Sequence, residues 1–318
     1  MKVLSLFDGI SCGMIALERA GIKVDRYKAY EIDENAIKIS DFNYPQIERG
    51  GDVFNAEYTE GEFDLLIGGS PCTYWSIAQN PKNRETTSSG LGWELFSQYV
   101  RALKECKPKY FLYENNYSMS QEIKNAITKE LGVEPIYINS ALVSAQNRKR
   151  LYWTNISNVS LPQDKNIMLY DVIDFNNESF RPVGNWVYKK WGDKRKIDML
   201  HDVKSSKSHT LTTNGTHSMA YYLNEDHTQY CNLTIRDWEK LQTLPDGYCD
   251  NAPVTKGAKY KGIGNGWTVD VIVHILKYLA ESEDKECRMN KQRRCYYQNR
   301  IREVNFNEFS RCLLLSYR

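Results

Sequence analysis

Val3-Leu4-Ser5-Leu6-Phe7-Asp8-Gly9 opens with a short apolar run closed by an acid and a glycine, and Ile10 to Ala20 follows at helical spacing through Met14, Ile15 and Leu17 until Gly21. The run reads as a strand, Asp8-Gly9 as a tight turn and the periodic stretch as a helix. The rhythm repeats downstream. Asp25 to Ile32 reads as a strand, Asp33 to Phe42 as a helix, and Phe63-Asp64-Leu65-Leu66-Ile67 as a buried strand ending in Gly68-Gly69. Trp93 to Cys106 is an amphipathic helix that leads through Lys107-Pro108 into the strand-like Tyr110-Phe111-Leu112-Tyr113. A helix from about Ser120 to Leu131 precedes late strands at Ile136-Tyr137-Ile138 and Arg150-Leu151-Tyr152-Trp153. Such alternation predicts an α/β fold whose mostly parallel sheet is flanked by helices.

After Asn155 the rhythm is lost. Ser157 to Lys207 is rich in Asn, Lys, Asp and aromatic residues, with turn signals at Leu161-Pro162 and Val183-Gly184-Asn185, and reads as a separate small domain. Thr234 to Leu244 is helical again, opened by a Thr234-x-x-Asp237 cap and closed at Pro245-Asp246-Gly247, and Val269 to Leu279 is a final apolar helix. The expected division is a catalytic domain over 1–155 and about 256–281, a small domain over 156–255, and a charged extension over 282–318. That extension carries Arg293-Arg294 and reads either as a basic arm or as a poorly specified tail.

The 318 residues suffice for one large and one small domain. A composition of 41% hydrophobic and 26% charged residues is globular and excludes a disordered chain. No run approaches the roughly 18 apolar residues of a membrane span, and Met1-Lys2 leads straight into a strand, so a cytoplasmic location is expected. The net charge of +2 is too small to argue for nucleic acid by itself. Arg181 to His209 is the local exception, with eight Lys or Arg against three Asp. On charge alone this is equally well a solvated face. None of the eight cysteines forms a C-x-x-C pair, so no metal is expected and reduced, buried thiols are the default.

Ligands of doubly wound sheets sit at the carboxyl ends of the strands. There, Phe7 to Gly13 supplies a glycine-bearing turn before a helix, Glu31 lies about 20 positions further on and suits a ribose, and Asp52 suits an adenine amino group. No P-loop or G-x-G-x-x-G is present, which points to a nucleoside cofactor without a phosphate cradle. The next strand ends in Gly68-Gly69-Ser70-Pro71-Cys72, placing a thiol at the mouth of the same crevice, and the strand after it ends in Glu114-Asn115. A lone Cys is more often core packing, but this one sits at a strand end beside an acid. A thiol there is a strong nucleophile that needs an electrophile activated by protonation. Gln146-x-Arg148-x-Arg150 adds two cations at strand-alternate spacing.

In this order the motifs resemble those of the DNA cytosine 5-methyltransferase family over nearly all of residues 1–280. Phe7-Asp8-Gly9-Ile10-Ser11 looks like its first cofactor motif, Ser70-Pro71-Cys72 its Pro-Cys motif, Glu114-Asn115 its Glu-Asn-Val motif, and Gln146 to Arg150 its Gln-x-Arg-x-Arg motif. Thr234 to Pro245 is similar to the family's Arg-Glu, Leu-Gln, Pro helix, and Gly264-Asn265-Gly266-Trp267-Thr268-Val269 to its closing motif. Details are closest to the animal de novo enzymes and to bacterial or phage enzymes.

The resemblance implies a Rossmann-like S-adenosylmethionine-dependent methyltransferase domain with a small target-recognition domain. It implies Cys72, Glu114, Arg148 and Arg150 as catalytic residues, with Cys72 attacking carbon 6 of a flipped cytosine and S-adenosylhomocysteine as the spent cofactor. Phe7, Asp8, Gly9, Ile10, Ser11, Glu31, Ile32, Asp52, Val53, Pro71, Asn265, Gly266 and Trp267 become the expected cofactor contacts. Ser70, Asn115, Gln146, Lys189, Lys190 and Arg195 become the expected contacts to double-stranded DNA, bound by a monomer. Thr73 to Gly92 reads as a loop that closes over the base, and Asn185, Trp186 and Tyr188 as base readers.

Two positions depart from the family pattern: Asn116 stands where Val is usual, and Asp237 where Glu is usual. Two other functions fit parts of the pattern, a tRNA cytosine methyltransferase on the same scaffold and an inactive DNA-binding partner. The first lacks its Cys-Phe-Thr tripeptide here, and retention of all four catalytic residues opposes the second.

Overall fold

A computed structural model describes residues 1–77, 80, 82–173 and 228–283, with the shorter stretches 181–182, 190–191, 194–195, 201–202, 207–212 and 221–223 between them. The central sheet has seven strands: β1 (Lys2–Leu6), β2 (Arg26–Tyr30), β3 (Glu48–Gly51), β4 (Leu65–Gly68), β5 (Tyr110–Asn116), β6 (Ile136–Asn139) and β7 (Lys149–Thr154). Their order is β3-β2-β1-β4-β5-β7-β6. Only β7 runs against its neighbours; the pairs β1–β2, β1–β4, β2–β3 and β4–β5 are parallel.

Strand residues alternate between two apolar layers, as the period of two requires. Val3, Leu65, Ile67 and Leu112 face one layer, which also holds Ile15, Leu17, Ile39, Val271 and Ile275. Leu4, Leu6, Leu66 and Phe111 face the other, with Phe96, Tyr99, Ile123 and Ile127. The sheet is thus covered on both faces. That is why β1 and β4 read as continuous apolar runs.

The helices behind these layers are α1 (Cys12–Arg19), α2 (Glu34–Asn43), α3 (Leu91–Cys106), α4 (Gln121–Leu131), α5 (Ile235–Leu241), α6 (Lys256–Asn265) and α7 (269–283). Asp33 caps α2 through the amides of Asn35 and Ala36, and Ser120 caps α4 through that of Ile123. Thr234 and Asp237 cap α5 reciprocally, as their spacing predicts.

Three features differ from expectation. β5 runs on to Asn116, because antiparallel pairing with β7 extends the ladder as far as Asn116 opposite Arg150. Glu114 and Asn115 therefore sit inside a strand. Helix α6 is new: Gly257, Gly262 and Gly264 lower its intrinsic propensity, and contact with α2 and α5 supplies what local sequence does not. Leu233, Ile235, Trp238, Leu241 and Tyr248 share a core with β1 and α1, so this part of 156–255 packs on the large domain.

Between residues 173 and 233 lie short strands: β8 (Arg181–Pro182), β9 (Lys190–Trp191), β10 (Lys194–Arg195), β11 (His201–Asp202), β12 (Tyr221–Leu223) and β13 (Gln229–Asn232). β9 and β10 pair antiparallel, and the others form a sheet in the order β11-β12-β13-β8.

Candidate active site

One crevice at the carboxyl edge of β1, β2, β4 and β5 is lined by Phe7, Gly9, Glu31, Pro71, Cys72 and Glu114, among others. It lies where β1 is flanked by β2 on one side and β4 on the other, the point at which open α/β sheets bind ligands.

The turn after β1 is strained. Phe7 and Ser11 hold left-handed φ values of 57° and 59°, and Gly9 one of 58°. Asp8 braces it from below: its carboxylate, 1% exposed, accepts from Ser5 Oγ at 2.6 Å, from Tyr27 OH at 2.7 Å and from Ser11 Oγ. Burial and the adjacent Asp8 charge raise the Tyr27 pKa, so the phenol stays a donor. Glu31 closes the turn from the side, accepting from Gly9 N, Ile32 N and Asp33 N, each at 2.8 Å.

The turn after β4 presents the thiol. A side chain at Gly69 would place its Cβ 2.9 Å from both the carbonyl and Oε2 of Glu114. Glycine is needed there for close approach to β5 rather than for flexibility. Ser70 Oγ meets Tyr113 OH at 2.7 Å, and Asn115 Nδ2 donates to the Ser70 carbonyl at 3.1 Å. Cys72 is half-buried and begins a one-turn helix over Cys72–Tyr74. Asn116 Nδ2 donates to the Cys72 carbonyl at 3.2 Å.

The acid comes from β5, and the cations from the start of β7 and the residue just before it. Because β7 is antiparallel, its first residues lie at the same edge as the end of β5. Glu114 pairs with Tyr152, so Arg150 is its diagonal neighbour, and Arg150 Nε reaches Glu114 Oε1 at 2.8 Å. Trp267 Nε1 donates to the other oxygen, Oε2, at 3.0 Å. Arg148 is buried, with Nη1 donating to the Leu211 carbonyl at 3.1 Å and Nη2 to those of Gly264 and Gly266 at 3.1 and 2.9 Å. Burial and the nearby Arg150 lower its pKa below the usual arginine value.

The crevice unites all four expected catalytic residues with Phe7, Asp8, Gly9, Glu31, Pro71, Asn265, Gly266 and Trp267. Ile10 and Ser11 do not line it: both are buried, Ile10 in the core and Ser11 on Asp8 and Ser40. Ile32 is 71% exposed, and Asp52 and Val53 lie outside the lining, where Asp52 accepts from Phe54 N at 3.0 Å. Of the residues expected to touch DNA, Ser70 lines the crevice, and Ser70 and Asn115 together shape the turn before Cys72. Gln146 is fully buried, donating to the Leu241 carbonyl at 3.1 Å and accepting from Leu211 N at 3.1 Å. Such a residue joins chain segments and presents no surface to a duplex. Lys189, Asn185, Trp186 and Tyr188 lie outside the described residues, and Lys190 and Arg195 are placed by their strands alone.

Sequence reasoning missed the α6 wall. Lys261, on α6, bridges to Asp33 Oδ2 at 2.6 Å, and both line the crevice with Gly262. The signal was Thr255, whose Oγ1 caps α6 through Ala258 N at 3.3 Å. Among the described residues no group of side chains could hold a metal, and no helix is long and apolar enough to cross a membrane.

A family profile described as C-5 cytosine-specific DNA methylase matches residues 1–177 and 160–281. The orphan methyltransferase M.SPRI of Bacillus phage SPR is 30% identical over 254 residues, covering 72% of this chain and 53% of the relative. This chain thus spans about half of that relative's length. The type II methyltransferase M.Eco47II of Escherichia coli is 28% identical over 343 residues, covering 89% and 79%. The Dnmt2 methyltransferase of S. pombe superposes with a TM-score of 0.66 at 17% identity over 89% of this chain and 99% of that one, a likeness of fold.

Proposed function

The chain belongs to the C-5 cytosine-specific DNA methylase family, and we propose that it transfers a methyl group from S-adenosylmethionine to carbon 5 of cytosine in double-stranded DNA through a transient bond between Cys72 and carbon 6. The observation that carries this reading is the ion pair of Glu114 with Arg150, set in one crevice with Cys72 and continuous with the Phe7, Gly9 and Glu31 end.

The residues fit the cofactor. Glu31 offers a carboxylate beside the turn after β1, and the aromatic Phe7 and Trp267 suit an adenosyl group and a sulfonium cation. Phe7, Gly9, Glu31, Pro71 and Asn265 would hold S-adenosylmethionine, which supplies an electrophilic methyl on its sulfonium.

At the other end, a cytosine can react only after it leaves the stack. The Cys72 thiolate adds to carbon 6 while Glu114 meets ring nitrogen 3 and the exocyclic amine, where electron density accumulates. Arg150 holds Glu114 and faces the ring oxygen. Carbon 5, made nucleophilic by the addition, accepts the methyl. Loss of the carbon 5 proton then expels Cys72 and restores the ring.

Target reading falls to the short strands between residues 173 and 233. Arg195 stands directly opposite Lys190 across β9 and β10. Cationic residues at register-paired positions are offered for contact with the phosphate backbone. In the loop after Cys72, Glu85 accepts from Trp75 Nε1 at 3.2 Å and Gly92 N at 3.1 Å, tying the loop's two ends together and giving closure over a flipped base a fixed footing.

The test is methyl transfer from labelled S-adenosylmethionine to duplex DNA and, in parallel, to tRNA. Label on cytosine of the duplex supports the proposal. Label on tRNA alone, or DNA binding without label, overturns it.

A further inference from the structure

Asn116 is the last residue of β5 and is 3% exposed. Its amide is engaged at both ends, Nδ2 donating to the Cys72 carbonyl at 3.2 Å and Oδ1 accepting from Ser118 Oγ at 3.3 Å. Ser118 Oγ in turn accepts from Ile77 N at 3.4 Å. Two residues before Cys72, the Ser70 carbonyl is held by Asn115 in the same way. Adjacent strand residues point to opposite faces, so consecutive asparagines grip the loop on either side of Pro71 and Cys72. The Cys72 carbonyl also accepts from Trp75 N at 3.1 Å and Ser76 N at 3.0 Å within its own turn. Asn116 is the tie that comes from another strand. It fixes that turn relative to Glu114, two positions earlier on β5. The Val usual in the family has the higher strand preference but no side-chain donor for this carbonyl.

We infer that Asn116 is a positioning residue for the nucleophile, an inference that rests on the methyltransferase reading. It holds the Cys72 peptide plane, and so the direction from which Sγ approaches carbon 6, in register with the acid that polarises the same ring. Orientation of this kind affects attack on a bound base, where small misplacements are costly. It leaves untouched attack by the thiol on a small, freely diffusing electrophile.

The experiment compares native protein with Asn116→Val and Asn116→Asp in three measurements: single-turnover methyl transfer to duplex DNA, alkylation of Cys72 by iodoacetamide followed by peptide mass spectrometry, and S-adenosylmethionine affinity. Asn116→Val, whose side chain a strand accepts readily, should slow methyl transfer about tenfold, with alkylation and cofactor affinity unchanged. Asn116→Asp, which turns an oxygen toward the Cys72 carbonyl, should slow it further. A native rate in Asn116→Val overturns the inference. So does a parallel fall in alkylation or cofactor affinity, which would mean that the residue sets thiol reactivity or merely holds the fold. Native protein that methylates nothing sinks the underlying reading and this inference with it, whereas active native protein with an equally active Asn116→Val sinks the inference alone.

Discussion

Trp267 donates its indole N–H to Oε2 of Glu114 across 3.0 Å, joining residues 153 positions apart. With Arg150 on Oε1, both oxygens of the acid are held from opposite sides. A hydrogen bond to a charged group contributes about 1.5–3 kcal/mol. Trp267→Phe keeps an aromatic wall and removes that donor. Single-turnover methyl transfer should fall about 10- to 100-fold, with DNA affinity unchanged; a native rate would show that Arg150 alone orients Glu114.

Arg148 and Arg150 look alike in sequence and differ in partners. Arg148 reaches three backbone carbonyls drawn from 211, 264 and 266, and so pins the closing motif and the returning chain to β7. Arg148→Met leaves those carbonyls without a donor and should cost about 3 kcal/mol of stability in urea unfolding. The Arg150→Met variant should lose mainly turnover. Equal stability losses in the two variants would contradict this division.

Gln146 and the pair Lys190 and Arg195 separate the core from the proposed DNA-binding face. Gln146→Leu should lower the melting temperature and leave DNA affinity at fixed salt, measured well below that temperature, unchanged. Lys190→Ala and Arg195→Ala should each reduce the slope of log K against log salt by about one. A loss of DNA affinity in Gln146→Leu while it is still folded would restore it to the duplex.

Thiol chemistry should single out Cys72 among the four cysteines whose side chains are described. Burial pushes the Cys12 thiol up to about 12 and that of Cys106 up to about 11, and it raises Cys249 as well. Only Cys72 is half-buried. At pH 8, iodoacetamide should label Cys72 well before the other three, read by peptide mass spectrometry. Prior labelling of Cys12 would contradict the geometry around the first turn.

The α/β alternation, and the gathering of Cys72, Glu114, Arg148 and Arg150 in one crevice, were legible because each sits on a short-range signal, an apolar run with a motif beside it. What escaped depends on contacts between distant segments. Gly69 clears space for Glu114, 45 positions away, which nothing in its local sequence announces. Gln146 lies within the Gln-x-Arg-x-Arg motif and read as a DNA contact, whereas its partners at 211 and 241 are far along the chain. Trp267 read as a cofactor wall, and its bond to Glu114 has no local signature. Within α6, Gly262 packs on Ile10, where an added Cβ would lie 2.9 Å from Cγ2. Tertiary contact there overrides propensity.

The central claim, that Cys72 attacks cytosine in DNA, is tested most directly by bisulfite sequencing of DNA from cells expressing the native chain or Cys72→Ala. The native chain should leave unconverted cytosines recurring in one short sequence context, and Cys72→Ala should abolish them while still binding S-adenosylmethionine. The same unconverted sites in Cys72→Ala, or complete conversion with the native chain, would contradict the account.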